Sequence, residues 1–184
     1  GIKLFDVKLY AYNRTMEIGK YVDETVTTWQ EQRPDLDLVP MGYMLRFHAM
    51  AEAAIGKIQI ITKSHGLTLG EFDVLATLRR HGATSTLMPS FIAEVAIVSP
   101  SGLTHRLTQL EKSGHIIRIA DNSDRRSSLV SITKSGAAVA DQIIEQIAEH
   151  SARMYAAIPA EDLEQFSKVV SLVSTQLESE VVTS

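Results

Sequence analysis

The 184-residue chain has the length of one domain, or of one domain with extended arms. Hydrophobic residues make up 45% of it and charged residues 22%, which is ordinary for a globular protein and excludes disorder as the main state. The absence of cysteine excludes a disulfide scaffold, a thiol nucleophile and a thiolate metal site. There is no signal-peptide pattern and no apolar run of the roughly 18–20 residues that span a membrane. We therefore expect a soluble, cytoplasmic protein without a membrane partner.

The net charge of −4 is unevenly distributed along the chain. Residues 79–134 hold eight basic and four acidic side chains and carry +4, whereas the remaining ten basic and eighteen acidic side chains carry −8. A basic middle between acidic ends is typical of a segment that faces phosphate. Chance clustering is the alternative.

The N-terminal third of the sequence predicts helices separated by a linker. Apolar periodicity indicates a helix from Ile18 to Gln32, and two prolines with two acids at 33–40 indicate a break. A long helix is expected at about 41–65. The next begins at a capping box formed by Thr68 and Glu71 and runs to His81.

The middle of the chain predicts two short helices and a hairpin. One helix opens at Pro89, and a second opens with Ser99 as N-cap and Pro100 as its first residue. The period then changes to two, which predicts strands at 115–120 and 127–133 around a charged tip. Helices return at about 134–157 and 160–180. This order is typical of a winged helix-turn-helix.

The second short helix has a buried side and a polar side. With Leu103 at 0° and about 100° per residue, Leu107 and Leu110 share the buried side. The opposite stripe, at roughly 140–200°, carries small, polar or basic residues, which can enter a major groove and bond base edges. The DNA-contacting residues predicted here are Ser99, Ser101, Thr104, His105, Thr108 and Lys112. An ordinary solvated helix face is the alternative.

The hairpin tip adds a second candidate contact with DNA. Arg126 can reach into a narrow minor groove, whose negative potential attracts arginine, while Asp124 holds it extended. Arg125 would meet phosphate. The alternative is a solvated turn.

Four segments of the sequence resemble the MarR family of bacterial winged-helix regulators, over about residues 41–178. They are Leu103-Thr104-His105-Arg106-Leu107, Leu110-Glu111-Lys112-Ser113-Gly114, Asp124-Arg125-Arg126 and Ile132-Thr133-Lys134-Ser135-Gly136. Two upstream segments are similar to the PecS-like, urate-responsive branch of that family and extend the resemblance to residue 18. They are Trp29-x-x-x-Arg33-Pro34-Asp35-Leu36-Asp37 and the run from Glu71 to Arg80.

The resemblance implies a mostly α fold with a small β-hairpin wing on a helical dimerisation platform. The expected parts are an arm and extra helix at 1–40, a linking helix at 41–66, a winged helix-turn-helix DNA-binding domain at 67–134 and C-terminal dimerisation helices at 135–184. It implies a homodimer that binds a double-stranded, pseudo-palindromic operator as a repressor. A small aromatic or anionic ligand such as urate would release the DNA.

In the urate-responsive branch the ligand response involves four side chains that fall here on Trp29, Asp73, Arg106 and Arg118. Two arginines and an indole face can hold a planar anion by bidentate bonds and stacking. Asp73 lies on a helix whose apolar residues cover most of its circumference, so its carboxylate is expected to be partly buried and to need a partner. A purely structural ion-pair network is the alternative.

Other functions find less support in the sequence. We see no nucleophile motif, phosphate loop or His-Glu-x-x-His, so no enzyme, no catalytic residue, no resident metal and no cofactor are expected. His48 and Glu52 lie four residues apart, as helix-borne metal ligands sometimes do, which keeps a metal-responsive regulator of the same fold as an alternative. A helical interaction protein without DNA binding is the other.

Overall fold

A computed structural model describes residues 18–82, 86–96, 102–120 and 128–182. The described residues form seven helices and three short strands: α1 (Ile18–Gln32), α2 (Val39–Ser64), α3 (Leu69–Arg80), β1 (Thr86–Leu87), α4 (Pro89–Val95), α5 (Leu103–Lys112), β2 (Ile116–Ala120), β3 (Ser128–Ile132), α6 (Lys134–Tyr155) and α7 (Ala160–Val182). The predicted class, mostly α with a small β wing, is confirmed. The chain divides into two compact units, residues 1–69 and residues 70–184.

In the first unit α1 packs against α2. Val22 of α1 is fully buried, and α2 buries Gly42, Leu45 and Ala49, which follow one another at helical spacing on one side. Arg46 on α2 donates a hydrogen bond to Asp23 on α1 and ties the two helices at their surface.

The linker between α1 and α2 is a tight turn held by its own charged side chains. Arg33 donates two hydrogen bonds to the carboxylate of Asp35, at 2.8 and 2.7 Å. The amide of Leu36 closes the turn on the carbonyl of Arg33 at 3.2 Å. The linker is shorter than we expected, because α2 begins at Val39 and takes Pro40 into its first turn. Proline is tolerated there since the first amides of a helix have no helical partner.

The second unit has its own apolar core, in which the largest buried side chains come from α3, α4, α5, the sheet and α6. These side chains are at most 1% exposed: Val74, Leu75, Leu78, Ile92, Leu110, Ile116, Val130 and Ile143. In the antiparallel sheet β3 lies between β1 and β2. Ile116 pairs with Ile132 across β2 and β3, and Thr86 pairs with Ser131 across β1 and β3. The two-residue strand β1 was not predicted, because two residues are too short to show a period of two.

Helix α5 begins later than the sequence suggested. The prediction that it opens at Pro100 is wrong: its first helical residue is Leu103, and Gly102 before it has a φ of 90°. A left-handed residue cannot continue a right-handed helix, and only glycine adopts that conformation readily. The predicted start at Ser99 and Pro100, and Ser101 after it, lie outside the described residues.

The segment leaving the wing is fixed by Thr133. Its hydroxyl accepts a hydrogen bond from the amide of Gly136 at 3.0 Å, which caps α6, and donates one to the carbonyl of Gly114 at 2.7 Å. A Cβ at Gly136 would overlap the carbonyl of His115. The threonine and glycine of this motif therefore tie the start of α6 to the end of α5.

Within the described ranges no helix is both long and apolar enough to cross a membrane.

Candidate nucleic-acid interface and effector site

Helix α5 carries the two sides that its sequence predicts. Leu107 and Leu110 are buried at 3% and 0% exposure and attach the helix to the core. On the other side Thr104, His105 and Lys112 are exposed, and Thr108 is half-buried. The helix thus offers one polar, partly basic stripe to a partner.

The hydroxyl of Thr108 already has partners inside the protein. It donates to the carbonyl of Thr104 at 2.8 Å and accepts from Nη2 of Arg118 at 3.1 Å. A hydroxyl has one proton and two lone pairs, so only one acceptor site is left for a base edge.

Arg118 connects the wing to α5. It lies on β2, its Nε is 3.2 Å from Oε2 of Glu111 and its Nη2 reaches Thr108. Its side chain is 31% exposed and that of Glu111 is 43% exposed. Glu111 is a partner of Arg118 that the sequence reasoning did not identify. With Leu103 at 0°, Glu111 lies at about 80° around α5 and Thr108 at about 140°, and this neighbouring position could have drawn attention to Glu111.

Arg106 lies on the other flank of the same helix, at about 300°. Its guanidinium contacts α3 at Gly70, and Arg106 is half-buried. Asp73, one turn further along α3, is buried at 8% exposure, as predicted for a carboxylate on that helix. The structure brings Arg106 to the helix that carries Asp73, and it brings Arg118 to the opposite flank of α5.

The remaining predicted residues belong to the first unit or lie outside the described residues. Trp29 lies on α1 in the first unit and is 53% exposed, whereas Asp73, Arg106 and Arg118 belong to the second unit. Five predicted DNA contacts lie outside the described residues: Ser99, Ser101, Asp124, Arg125 and Arg126. In the part of the chain that the structure describes, no three His, Cys, Asp or Glu side chains group so as to hold a metal ion.

A second ion pair of the unit joins α3 to α6. Arg79 donates two hydrogen bonds to the carboxylate of Asp141, at 2.8 and 3.1 Å. The hydrogen bond and charge of Asp141 raise the pKa of Arg79 above its ordinary value. On α3, Arg80 also donates to the carbonyl of Val95 at 2.9 Å, at the end of α4. Arg79 and Arg80, two of the basic residues in the segment 79–134, thus attach α6 and α4 to α3.

Comparison with known proteins identifies this architecture. A sequence profile of the MarR family matches residues 67–128. The HTH-type transcriptional regulator PecS of Dickeya dadantii is 36% identical over 132 residues, which cover 70% of this chain and 78% of that protein. The homoprotocatechuate degradative operon repressor of Escherichia coli is 29% identical over 119 residues, 65% of this chain and 78% of the repressor.

Solved structures agree in fold. A mutant MarR from E. coli complexed with operator DNA superposes with a TM-score of 0.61 at 20% identity, covering 74% of this chain and 94% of that one. The chain belongs to the MarR family of winged-helix transcriptional regulators.

Proposed function

We propose that the protein is a homodimeric, ligand-responsive repressor that binds a pseudo-palindromic operator and is released from it by a small planar aromatic anion such as urate. The observation that carries the proposal is the link from Arg118 to Glu111 and Thr108, because it couples the wing to the polar stripe of α5. Two elements that contact DNA in a winged helix then move together, and a ligand that shifts one shifts the other.

Operator binding is supported by the exposed stripe of α5. His105 and Lys112 are exposed on the side of the helix opposite its buried leucines, in the segment that carries +4. E. coli MarR, a neighbour in fold, was solved with operator DNA. Repression is supported by the E. coli relative, which is named as a repressor.

Dimerisation is supported by the apolar surface of α7. Four of its side chains are between 42% and 59% exposed: Phe166, Val169, Val173 and Leu177. All four lie on one stripe, at roughly 300–20° when Phe166 is set at 0°. A helix with such a stripe gains stability when a second apolar surface covers it, and a two-fold dimer supplies an identical stripe.

The effector proposal rests on Asp73 and the two arginines. An anion at Arg106 would compete with the acids of α3 for one guanidinium, and its charge would repel the buried carboxylate of Asp73. The resulting shift of α5 would reach the wing through Glu111 and Arg118. Tenfold weaker DNA binding requires only about 1.4 kcal/mol of coupling between the two sites.

The test is a DNA mobility shift with the upstream region of the protein's own gene, with and without urate, alongside a titration of Trp29 fluorescence. Trp29 is the single tryptophan and one of the four predicted ligand contacts, so quenching of its fluorescence is the expected signal of urate binding. We expect urate to quench the signal and release DNA over the same concentration range. Quenching without release would contradict the regulatory role of the ligand. Release by a chelator, and not by urate, would favour the metal-responsive alternative.

A further inference from the structure

The guanidinium of Arg106 lies against two positions that carry no Cβ. A Cβ built at Gly70, on α3, would overlap Nε of Arg106 and lie 3.0 Å from its Cζ and 3.1 Å from its Cδ. A Cβ at Gly102, at the start of α5, would lie 3.9 Å from Cζ and Nη2. The guanidinium therefore fits between the backbones of the two helices only because residue 70 has no side chain.

Glycine at position 70 is otherwise unfavourable. It is the second residue of α3, where glycine is less stable than alanine because it gives up more backbone freedom on folding. Position 102 requires glycine because its φ is 90°. Gly70 has an ordinary helical backbone, which any residue could adopt. The close approach of Arg106 supplies the reason for glycine at 70 that the backbone does not.

We propose that Gly70 is a positioning residue for Arg106, and that the effector response of this site depends on it. The second part of this inference rests on the proposed function. Glu71 in the first turn of α3 favours a cation nearby, but charge attraction alone does not require residue 70 to lack a side chain. The missing Cβ leaves the room for the Arg106 guanidinium beside the first turn of α3.

The experiment is a double-mutant cycle of Gly70→Ala and Arg106→Ala, read by thermal unfolding. With Arg106 present, the new methyl group displaces the guanidinium, and we expect Gly70→Ala to lower Tm. With Arg106 truncated, the three atoms nearest the new methyl group are gone and the substitution gains helix propensity, so we expect Tm to rise by about 1–3 °C. A shift in Tm that is negative with Arg106 present and positive with Arg106 truncated is specific to this contact.

Gly19→Ala is the matched control. Gly19 is also the second residue of its helix, α1, and a Cβ there meets nothing within 4 Å. It should raise Tm by a similar small amount in both backgrounds. Equal rises for Gly70→Ala and Gly19→Ala with Arg106 present would overturn the positioning role.

Measuring urate-driven release of DNA in the variants distinguishes a failure of the Gly70 proposal from a failure of the proposed function. Gly70→Ala should raise the urate concentration for half-release about tenfold, as Arg106→Ala does, with no further rise in the double variant. The affinity of Gly70→Ala for DNA without urate should stay within about threefold of that of the unsubstituted protein. A normal urate response in Gly70→Ala, beside a lost response in Arg106→Ala, would overturn the inference. If Arg106→Ala itself responds normally, the proposed effector site fails, and the sign change in Tm alone decides the positioning role.

Discussion

Arg118 on the wing strand β2 binds Glu111 on helix α5 through an ion pair of 3.2 Å, and the same guanidinium donates a hydrogen bond to Thr108. The hydroxyl group of Thr108, on the polar stripe of α5, is therefore also a hydrogen-bond partner of the wing. This relationship leaves the Thr108 hydroxyl one free acceptor site and links the wing directly to α5.

Thr108→Val should weaken operator binding by less than about threefold. Valine keeps the shape of threonine, and the single hydroxyl proton that is lost is already bonded to the carbonyl of Thr104. His105→Ala, which removes an exposed polar group from the same stripe, should weaken binding more. The measurement is a titration of labelled operator by fluorescence anisotropy. A tenfold loss with Thr108→Val would mean that the hydroxyl reads a base.

Lys112→Ala should weaken binding to operator and to unrelated DNA alike. If Lys112 meets phosphate, the slope of log K against log salt concentration should become shallower by about one unit, because one fewer counterion is released. Lys168→Ala on α7 removes the same charge from an element that we assign to dimerisation and should leave the slope unchanged. An unchanged slope with Lys112→Ala would remove this residue from the phosphate contacts.

The sequence predicted helix α1 and the type of most elements because their apolar periods are long and their ends carry glycine or proline. It misplaced the start of α5, since Ser99 and Pro100 are a good N-terminal signal and the left-handed φ of Gly102 leaves no mark in composition. It identified Asp73 as buried from the apolar surroundings on α3. It did not point to Glu111 or Gly70, because each contacts an arginine on another element: Glu111 contacts Arg118 on β2, and Gly70 contacts Arg106 on α5.

Val173→Glu should convert the dimer to a monomer at micromolar concentration. Val173 lies on the exposed apolar stripe of α7 with Phe166 and Leu177, and burying a carboxylate there without a partner is costly. Thr175→Glu is the matched control, since it places the same charge on the opposite side of the helix, at about 180°. Light scattering gives the mass of each variant. A dimeric Val173→Glu variant would place the subunit contact elsewhere.

Asp35 gives the stability of the first unit a dependence on acid. The hydrogen bond from Arg33 lowers the pKa of Asp35. A carboxyl group whose pKa is lower in the folded state stabilises that state above its unfolded pKa of about 3.9, and the contribution is lost as pH falls through the folded value. Asp35→Asn should therefore lower Tm at neutral pH and remove part of the fall in Tm below about pH 4. A parallel shift at every pH would mean that the pair contributes no titrating stability.

Replacing Arg106 and replacing Arg118 should affect the urate response in different ways, because the two arginines lie on opposite flanks of α5. Arg106, at about 300°, contacts α3 at Gly70, whereas the partners of Arg118 lie at about 80° and 140°. Because their contacts lie on opposite flanks of α5, we expect the two arginines to have separate roles in the proposed switch. Arg106→Ala should weaken urate binding, measured by Trp29 quenching, at least tenfold. Arg118→Ala should leave that affinity within about twofold and keep the dimer and DNA binding, but it should blunt the release of DNA, because the wing no longer follows α5. Equal losses of urate affinity in both variants would mean that the ligand contacts both arginines and that the helix and wing close around it.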